Sequence, residues 1–118
     1  MEFDSHTVVL LIRPPDAPEL AEEEADALQD AHLAHQAGLL DAGHLIAAGP
    51  LVDQDDERLR GISVLSVDAE TARRLYSTDP AVQAGRLTTV LATWMVPSGN
   101  VRFERVRHPR SMKEALDD

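Results

Sequence analysis

The order of predicted elements along this 118-residue chain indicates an α+β fold, in which strand, helix, strand, strand, helix and strand follow one another. Three observations carry this prediction: an apolar β-branched run near the N-terminus, a long segment of helical periodicity after it, and an alternating segment near residue 90. Aromatic residues make up only 3% of the chain, so a core of Leu, Val, Ile and Ala is expected between thin layers. The order matches the split βαβ pattern of the ferredoxin-like fold, βαββαβ, a four-stranded antiparallel sheet with two helices on one face.

The first strand is predicted over residues 7–12, Thr-Val-Val-Leu-Leu-Ile, because this run is continuously β-branched or aliphatic. Arg13-Pro14-Pro15 then forces a break. Asp16 is the expected N-cap of the first helix, which we expect to continue to about Ala42.

The first helix carries two histidines on its apolar side. The residues that recur at helical spacing are Leu28, His32, His35 and Leu39. The next glycine, Gly43, is the expected left-handed stop of this helix. An ionisable side chain directed at the core needs a partner, so these histidines are the first candidates for chemistry.

The second strand is predicted over residues 44–51, an apolar run that ends in Gly49-Pro50. The acidic run at residues 53–57 is too polar for burial and is expected to be a solvated loop without a chemical role. Alternation over residues 60–67 predicts the third strand.

Asp68 is the expected cap of a short second helix over residues 69–76, which Asp79-Pro80 ends. The fourth strand is predicted over residues 86–96. We therefore expect one domain over residues 1–97 and a C-terminal tail over residues 98–118 that packs on a dimer or frays.

The composition restricts the partners of the protein. The formal net charge of -10 repels the phosphate backbone and anionic lipid, so we expect neither nucleic acid nor a membrane as a partner. The absence of cysteine excludes disulfides and thiolate catalysis, and no signal peptide or apolar run of ~20 residues is evident, so we expect a cytoplasmic location. A core so poor in aromatic residues leaves one sheet face uncovered, which predicts a homodimer.

Two segments resemble the YCII-related (YciI-like) family. The first comprises His32-Leu33-Ala34, Gly43, an apolar strand and Ala48-Gly49-Pro50, and the second is the Asp-Pro-x-x-x-x-Gly segment of Thr78 to Gly85. The resemblance covers about residues 6–97 and implies a dimeric ferredoxin-like α+β architecture. It also implies dehydrochlorination of chlorinated rings or, by similarity of fold, muconolactone isomerisation as related activities.

His32 and Asp79 are the predicted catalytic residues. The predicted fold brings them together between helices and sheet, and the resemblance points to the same pair. A carboxylate that fixes an imidazole gives an oriented acid or base. The alternative is structural, with Asp79 capping a turn and His32 satisfied in the core. No Gly-x-Ser-x-Gly motif supports acyl-enzyme chemistry.

We therefore expect a cofactor-independent lyase or isomerase that acts on a small ring or lactone substrate. The alternative is a non-catalytic dimeric protein that binds a small molecule or acts as an accessory. A catalytic pair would border unfilled, solvent-reachable space, whereas a structural pair would be sealed by side chains.

Gly49, Pro50, His35 and Trp94 are the predicted substrate-binding residues. The alternative role of Gly49 is simply to end a strand, and the alternative role of Trp94 is to pack in the core. His35, three residues after His32, is also compatible with helix-sheet packing. The pair lacks the i, i+4 spacing and the glutamate of His-Glu-x-x-His, so we assign no metal and no cofactor.

Overall fold

The computed structural model describes residues 1–104 and 106–117. Four strands form one sheet: β1 (Phe3–Ile12), β2 (Leu45–Pro50), β3 (Leu59–Leu65) and β4 (Thr88–Pro97). Their order across the sheet is β2-β3-β1-β4, and every neighbouring pair is antiparallel. The predicted ferredoxin-like α+β architecture is confirmed. β1 is longer than predicted because it pairs with β4 from Phe3 to Ile12.

Two principal helices, α1 (Glu22–Asp41) and α2 (Ala69–Tyr76), contribute to a single core against the sheet, as predicted. Two short helices complete the described part of the chain, α3 (Pro80–Gln83) and α4 (Met112–Leu116), and only α3 was not predicted from the sequence. No helix in the described part of the chain has both the length and the apolar character needed to cross a membrane.

The start of α1 differs from the prediction. Asp16 is not its N-cap; Ala21 occupies that position with extended backbone and without a capping side chain. The chain turns first, because the Ala17 N–H donates to the Pro14 carbonyl at 3.1 Å. The three glutamates at 22–24 fall in the first turn, where the helix dipole stabilises negative charge.

The end of α1 follows the prediction. Gly43 has a left-handed backbone with φ of 82°. The His44 N–H donates to the Leu39 carbonyl and the Gly43 N–H to the Leu40 carbonyl, both at 2.9 Å. These bonds satisfy carbonyls at the helix end in a Schellman arrangement and return the chain directly into β2.

The core lies between the helices and the inner sheet face. Its buried residues come from both principal helices and three strands: Val9, Leu11, Leu39, Leu45, Leu65, Ala72 and Tyr76. In β1 the buried residues alternate with half-buried ones, as expected for a sheet with one covered face. The opposite, outer face carries the remaining side chains of each strand.

The C-terminal tail packs on its own chain. Phe103 contacts His6 of β1 in an edge-on arrangement with ring centroids 5.6 Å apart. Further along, Arg110 donates two hydrogen bonds of 2.9 Å to Asp41 at the end of α1. The described part of the tail therefore runs from the sheet to α1 of its own chain, and its packing on a dimer stays a prediction. The division of the chain at residue 97 stays a prediction.

Candidate functional site

A cavity of about 430 Å³ lies beside the middle of α1. One wall is formed by α1, another by the ends of β1, β2 and β3, and a third by the tail around α4. The wall from α1 includes Leu28, His32 and Gln36, so the stripe predicted to face the core lies partly against open space.

His32 and Asp79 meet at this cavity. Nδ1 of His32 lies 2.6 Å from Oδ2 of Asp79, and the two side chains are 6% and 0% exposed. The distance is that of a strong charge-assisted hydrogen bond. His32 lines the cavity, whereas Asp79 lies behind it.

The local sequence fixes Asp79 independently of His32. Asp79 is the N-cap of α3, where its Oδ1 accepts the Ala81 N–H at 2.9 Å, and Pro80 occupies the first helical position. One carboxylate oxygen therefore holds the helix start while the other holds the imidazole. Asp79 therefore caps a helix, as the structural alternative expected, and also orients His32.

The second ring nitrogen of His32 is free to act on a ligand. Nε2 makes no hydrogen bond to any residue within the ranges 1–104 and 106–117. An imidazole that donates through Nδ1 to a carboxylate presents the Nε2 lone pair as a base. The pair is thus not sealed: its outward side faces space large enough for a small ring compound.

A second buried polar group stands next to the pair. The Tyr76 hydroxyl donates to Ser63 Oγ at 2.6 Å, and Gln36 Nε2 donates to Ser63 Oγ at 3.2 Å and to Tyr76 Oη at 3.1 Å. Burial raises the pKa of Tyr76, so its hydroxyl stays a donor at neutral pH. Sequence reasoning missed this network, although Gln36 lies one turn after His32 on the same side of α1.

Gly49 and Pro50 line the cavity, as expected from the sequence. A Cβ at Gly49 would have no atom of residues 1–104 or 106–117 within 4 Å, so no close backbone approach among them requires glycine there. The tight position is Gly61 of β3, whose Cβ would lie 3.3 Å from the Gly49 carbonyl oxygen.

His35 and Trp94 do not line the cavity. The imidazole of His35 points at α2, where Nε2 lies 3.1 Å from the Leu75 carbonyl oxygen and the ring packs edge-on against Tyr76. Trp94 is 40% exposed and packs against His6, its cross-strand partner. Its strand position therefore places it on the outer sheet face. Residues 1–104 and 106–117 contain no group of three or more His, Cys, Asp or Glu arranged to hold a metal ion.

His108 is a cavity residue that the sequence did not single out, because it lies in the C-terminal tail. It lies half-buried in the tail wall, and neither ring nitrogen has a hydrogen-bond partner in the described part of the chain. Burial, and then the proximity of His32, lower its pKa. No local sequence signal identified it, because its position depends on the path of the tail back to α1.

A known protein family matches most of this chain. The family model of the YCII-related domain matches residues 7–93. The chain belongs to the YCII-related family. No curated protein sequence matches it at a significant level.

A solved structure similar to this YCII-related protein is 5-chloro-2-hydroxyhydroquinone dehydrochlorinase from Burkholderia phenoliruptrix, in complex with 2,5-dihydroxybenzoquinone. The TM-score is 0.55 at 17% sequence identity, and the match covers 75% of this chain and 92% of the dehydrochlorinase chain. At this identity the likeness establishes the shared fold.

The two histidines of the cavity differ in their relation to the YCII-related match. His32 and Asp79 lie within residues 7–93, whereas His108 and α4 lie after them. The cavity of this YCII-related protein therefore combines a wall from the family domain with a wall from the tail.

Proposed function

We propose that this YCII-related protein is a cofactor-independent lyase or isomerase that moves a proton on a small ring or lactone substrate. His32 is the proton-transferring group, Asp79 orients it, and Gly49 and Pro50 shape the substrate side of the cavity. The observation that carries the proposal is the 2.6 Å contact between His32 and a fully buried carboxylate, at the wall of an open cavity.

The reaction begins when the Nε2 lone pair of His32 takes a proton from a ring carbon that a neighbouring carbonyl acidifies. The C–H bond breaks, an N–H bond forms, and the electron pair becomes part of a new double bond. In an elimination, a leaving group such as chloride departs with its bonding electrons. In an isomerisation, the imidazolium returns the proton to another carbon. Asp79 stabilises the imidazolium in both cases.

Two further facts support this reaction class. A solved structure of the same fold is a 5-chloro-2-hydroxyhydroquinone dehydrochlorinase in complex with 2,5-dihydroxybenzoquinone, and dehydrochlorination belongs to the reaction class proposed here. The cavity volume of about 430 Å³ suits a single substituted ring.

The test is a turnover assay of wild type with chlorinated hydroquinones and small lactones. Turnover is measured by the change in ultraviolet absorbance and by the release of chloride. We expect turnover of at least one compound and a loss of ~10² to 10⁴-fold in His32→Ala. His44→Gln is the matched control, because His44 precedes β2 and does not line the cavity. Its activity should equal that of wild type.

Binding without turnover in wild type would overturn the catalytic proposal and favour the non-catalytic ligand-binding protein. Equal turnover by His32→Ala and wild type would remove His32 from the mechanism. A melting curve of each variant separates loss of the base from loss of the fold.

We also infer that the protein is a cytoplasmic homodimer. The dimer is supported by the outer sheet face, where Val90 and Trp94 are 50% and 40% exposed beside half-buried apolar residues of β1. Sedimentation of wild type and Val90→Glu tests it: wild type should sediment as a dimer and the variant as a monomer. A monomeric wild type contradicts the inference.

A further inference from the structure

Three arginines reach the cavity from separate segments: Arg13, Arg60 and Arg86. None has an ion-pair partner among residues 1–104 and 106–117, although the chain has 21 acidic residues against 11 Lys and Arg. No Asp or Glu among the described residues lines the cavity. A protein of net charge -10 thus keeps a positively charged cavity.

Arg13 is half-buried. It follows β1, and its backbone N–H donates to the Arg58 carbonyl at 2.8 Å. Its Nε atom is buried and has no partner within the described residues. Burial, and then the charges of Arg86 and Arg60, lower the pKa of Arg13. A guanidinium remains charged at neutral pH, so an anion would relieve both the repulsion and the unsatisfied donor.

Arg60 faces the cavity because of a β-bulge. Leu11 pairs with Gly61 and Ile12 with Leu59, so Arg60 is the extra residue on β3. Regular alternation would send its side chain to the face opposite Gly61, whereas a bulge redirects it. The irregularity of the sheet therefore supplies the second positive charge.

Arg86 is held by a turn. It follows Gly85, whose φ is 75°, and its N–H donates to the Ala81 carbonyl at 3.0 Å. Its Nη1 donates to the Pro18 carbonyl at 2.8 Å, which fixes the guanidinium and leaves its other donors available. Arg86 lies close in sequence to Asp79, so the segment that orients His32 also carries a cavity arginine.

We propose that Arg13, Arg60 and Arg86 form an oxyanion site, and that the substrate is a small ring compound with a carboxylate or another acidic oxygen. The proposal rests on the proposed function, since it names the substrate class of the same cavity. Guanidinium groups bind planar oxyanions through paired hydrogen bonds. The acidic group lies at the arginines, and the ring lies against the apolar part of the cavity near His32 and Leu28.

The experiment measures binding of benzoate, its neutral isostere benzamide and inorganic phosphate by calorimetry, with wild type and single Arg→Gln variants. We expect benzoate to bind most tightly, with a loss of about tenfold or more in Arg60→Gln and Arg13→Gln. Arg60 is exposed, so Arg60→Gln should fold normally. Arg58→Gln is the matched control, because Arg58 is paired with Asp56 at the surface. Added salt should weaken benzoate binding and leave benzamide binding unchanged.

Equal affinities for benzoate and benzamide would overturn the oxyanion site, as would an equal loss in Arg58→Gln and Arg60→Gln. Tighter binding of phosphate than of benzoate would overturn the assignment of a ring anion. The experiment also separates the oxyanion site from the proposed catalysis. If benzoate binding depends on the arginines but no compound is turned over, the lyase or isomerase proposal is wrong and the oxyanion site stands. If turnover depends on His32 but not on any of the arginines, the oxyanion site is wrong and the catalytic role of His32 stands.

Discussion

His32 and Asp79 share one hydrogen bond of 2.6 Å, and the second oxygen of the same carboxylate accepts the Ala81 N–H at 2.9 Å. One buried side chain thus couples the orientation of the imidazole to the start of α3. Substitutions at Asp79 can separate these two roles, because asparagine retains the capping oxygen and loses the charge.

Asp79→Ala should lower the free energy of unfolding by about 3 kcal/mol, since it removes a cap and leaves a buried imidazole nitrogen unpaired. Asp79→Asn should cost about 1 kcal/mol, because its oxygen still caps α3. Its amide would donate to Nδ1 and move the imidazole proton of His32 to Nε2. Urea denaturation measures the first effect, and imidazole ¹⁵N shifts measure the second. An unchanged tautomer in Asp79→Asn contradicts the assignment of Nδ1–H in wild type.

Gly61→Ala should lower the free energy of unfolding by about 1 kcal/mol, because the new methyl group would lie 3.3 Å from the Gly49 carbonyl oxygen. Gly49→Ala is the matched control on the neighbouring strand, where a Cβ meets no atom of the described residues within 4 Å. Its stability should stay within about 0.5 kcal/mol of wild type. Chemical denaturation of both variants tests the pair, and equal losses would be inconsistent with the strand geometry.

Tyr76→Phe should cost about 1 to 2 kcal/mol, because Ser63 and Gln36 lose a buried partner. Burial raises the pKa of Tyr76 above that in the unfolded chain, so the folded state retains this proton more strongly. The resulting stabilisation is fully present below about pH 10 and is lost as the pH rises through the folded pKa. The stability difference between wild type and Tyr76→Phe should therefore shrink above about pH 10. A difference that is constant with pH would contradict the burial of this hydroxyl.

Acid should loosen the tail from the cavity. Burial and the nearby His32 lower the pKa of His108, while Glu114 opposes them, so the packed tail binds this proton less readily than a released tail. Lowering the pH through about 6.5 then favours release. Amide hydrogen exchange in α4, corrected for its chemical pH dependence, should accelerate below that value. His108→Gln should show no such acceleration, and an equal acceleration in both proteins would assign the effect to another group.

The sequence predicted the elements whose signals are local. The Gly43 stop is local because a left-handed residue alone ends the helix, and the Asp68 cap is local because its carboxylate accepts the Thr71 N–H three residues later. The predicted start of α1 was wrong. The turn after Pro14 and the hydrogen bond from Arg86 to the Pro18 carbonyl hold the segment before Ala21 outside the helix.

The site was predictable where helical spacing and family resemblance agreed, and His32 and Asp79 do lie together. Gln36 was missed because its position on the apolar side of α1 does not indicate which residues it contacts. Its partners, Ser63 and Tyr76, are 27 and 40 residues away in the sequence. His108 and the redirected Arg60 depend on the tail path and on a register shift, neither of which has a signature in neighbouring residues.

The return of the tail to α1 also has an evolutionary consequence. Acid-base residues come from the sheet-and-helix domain, whereas Pro109, Met112 and Leu116 of the opposite wall come after the last strand. Recombination or insertion after Pro97 can therefore replace the tail wall of the cavity without shifting any strand register. The architecture allows constant acid-base walls to be combined with an exchangeable tail wall, so related chains can diversify their ligands by changing their C-termini.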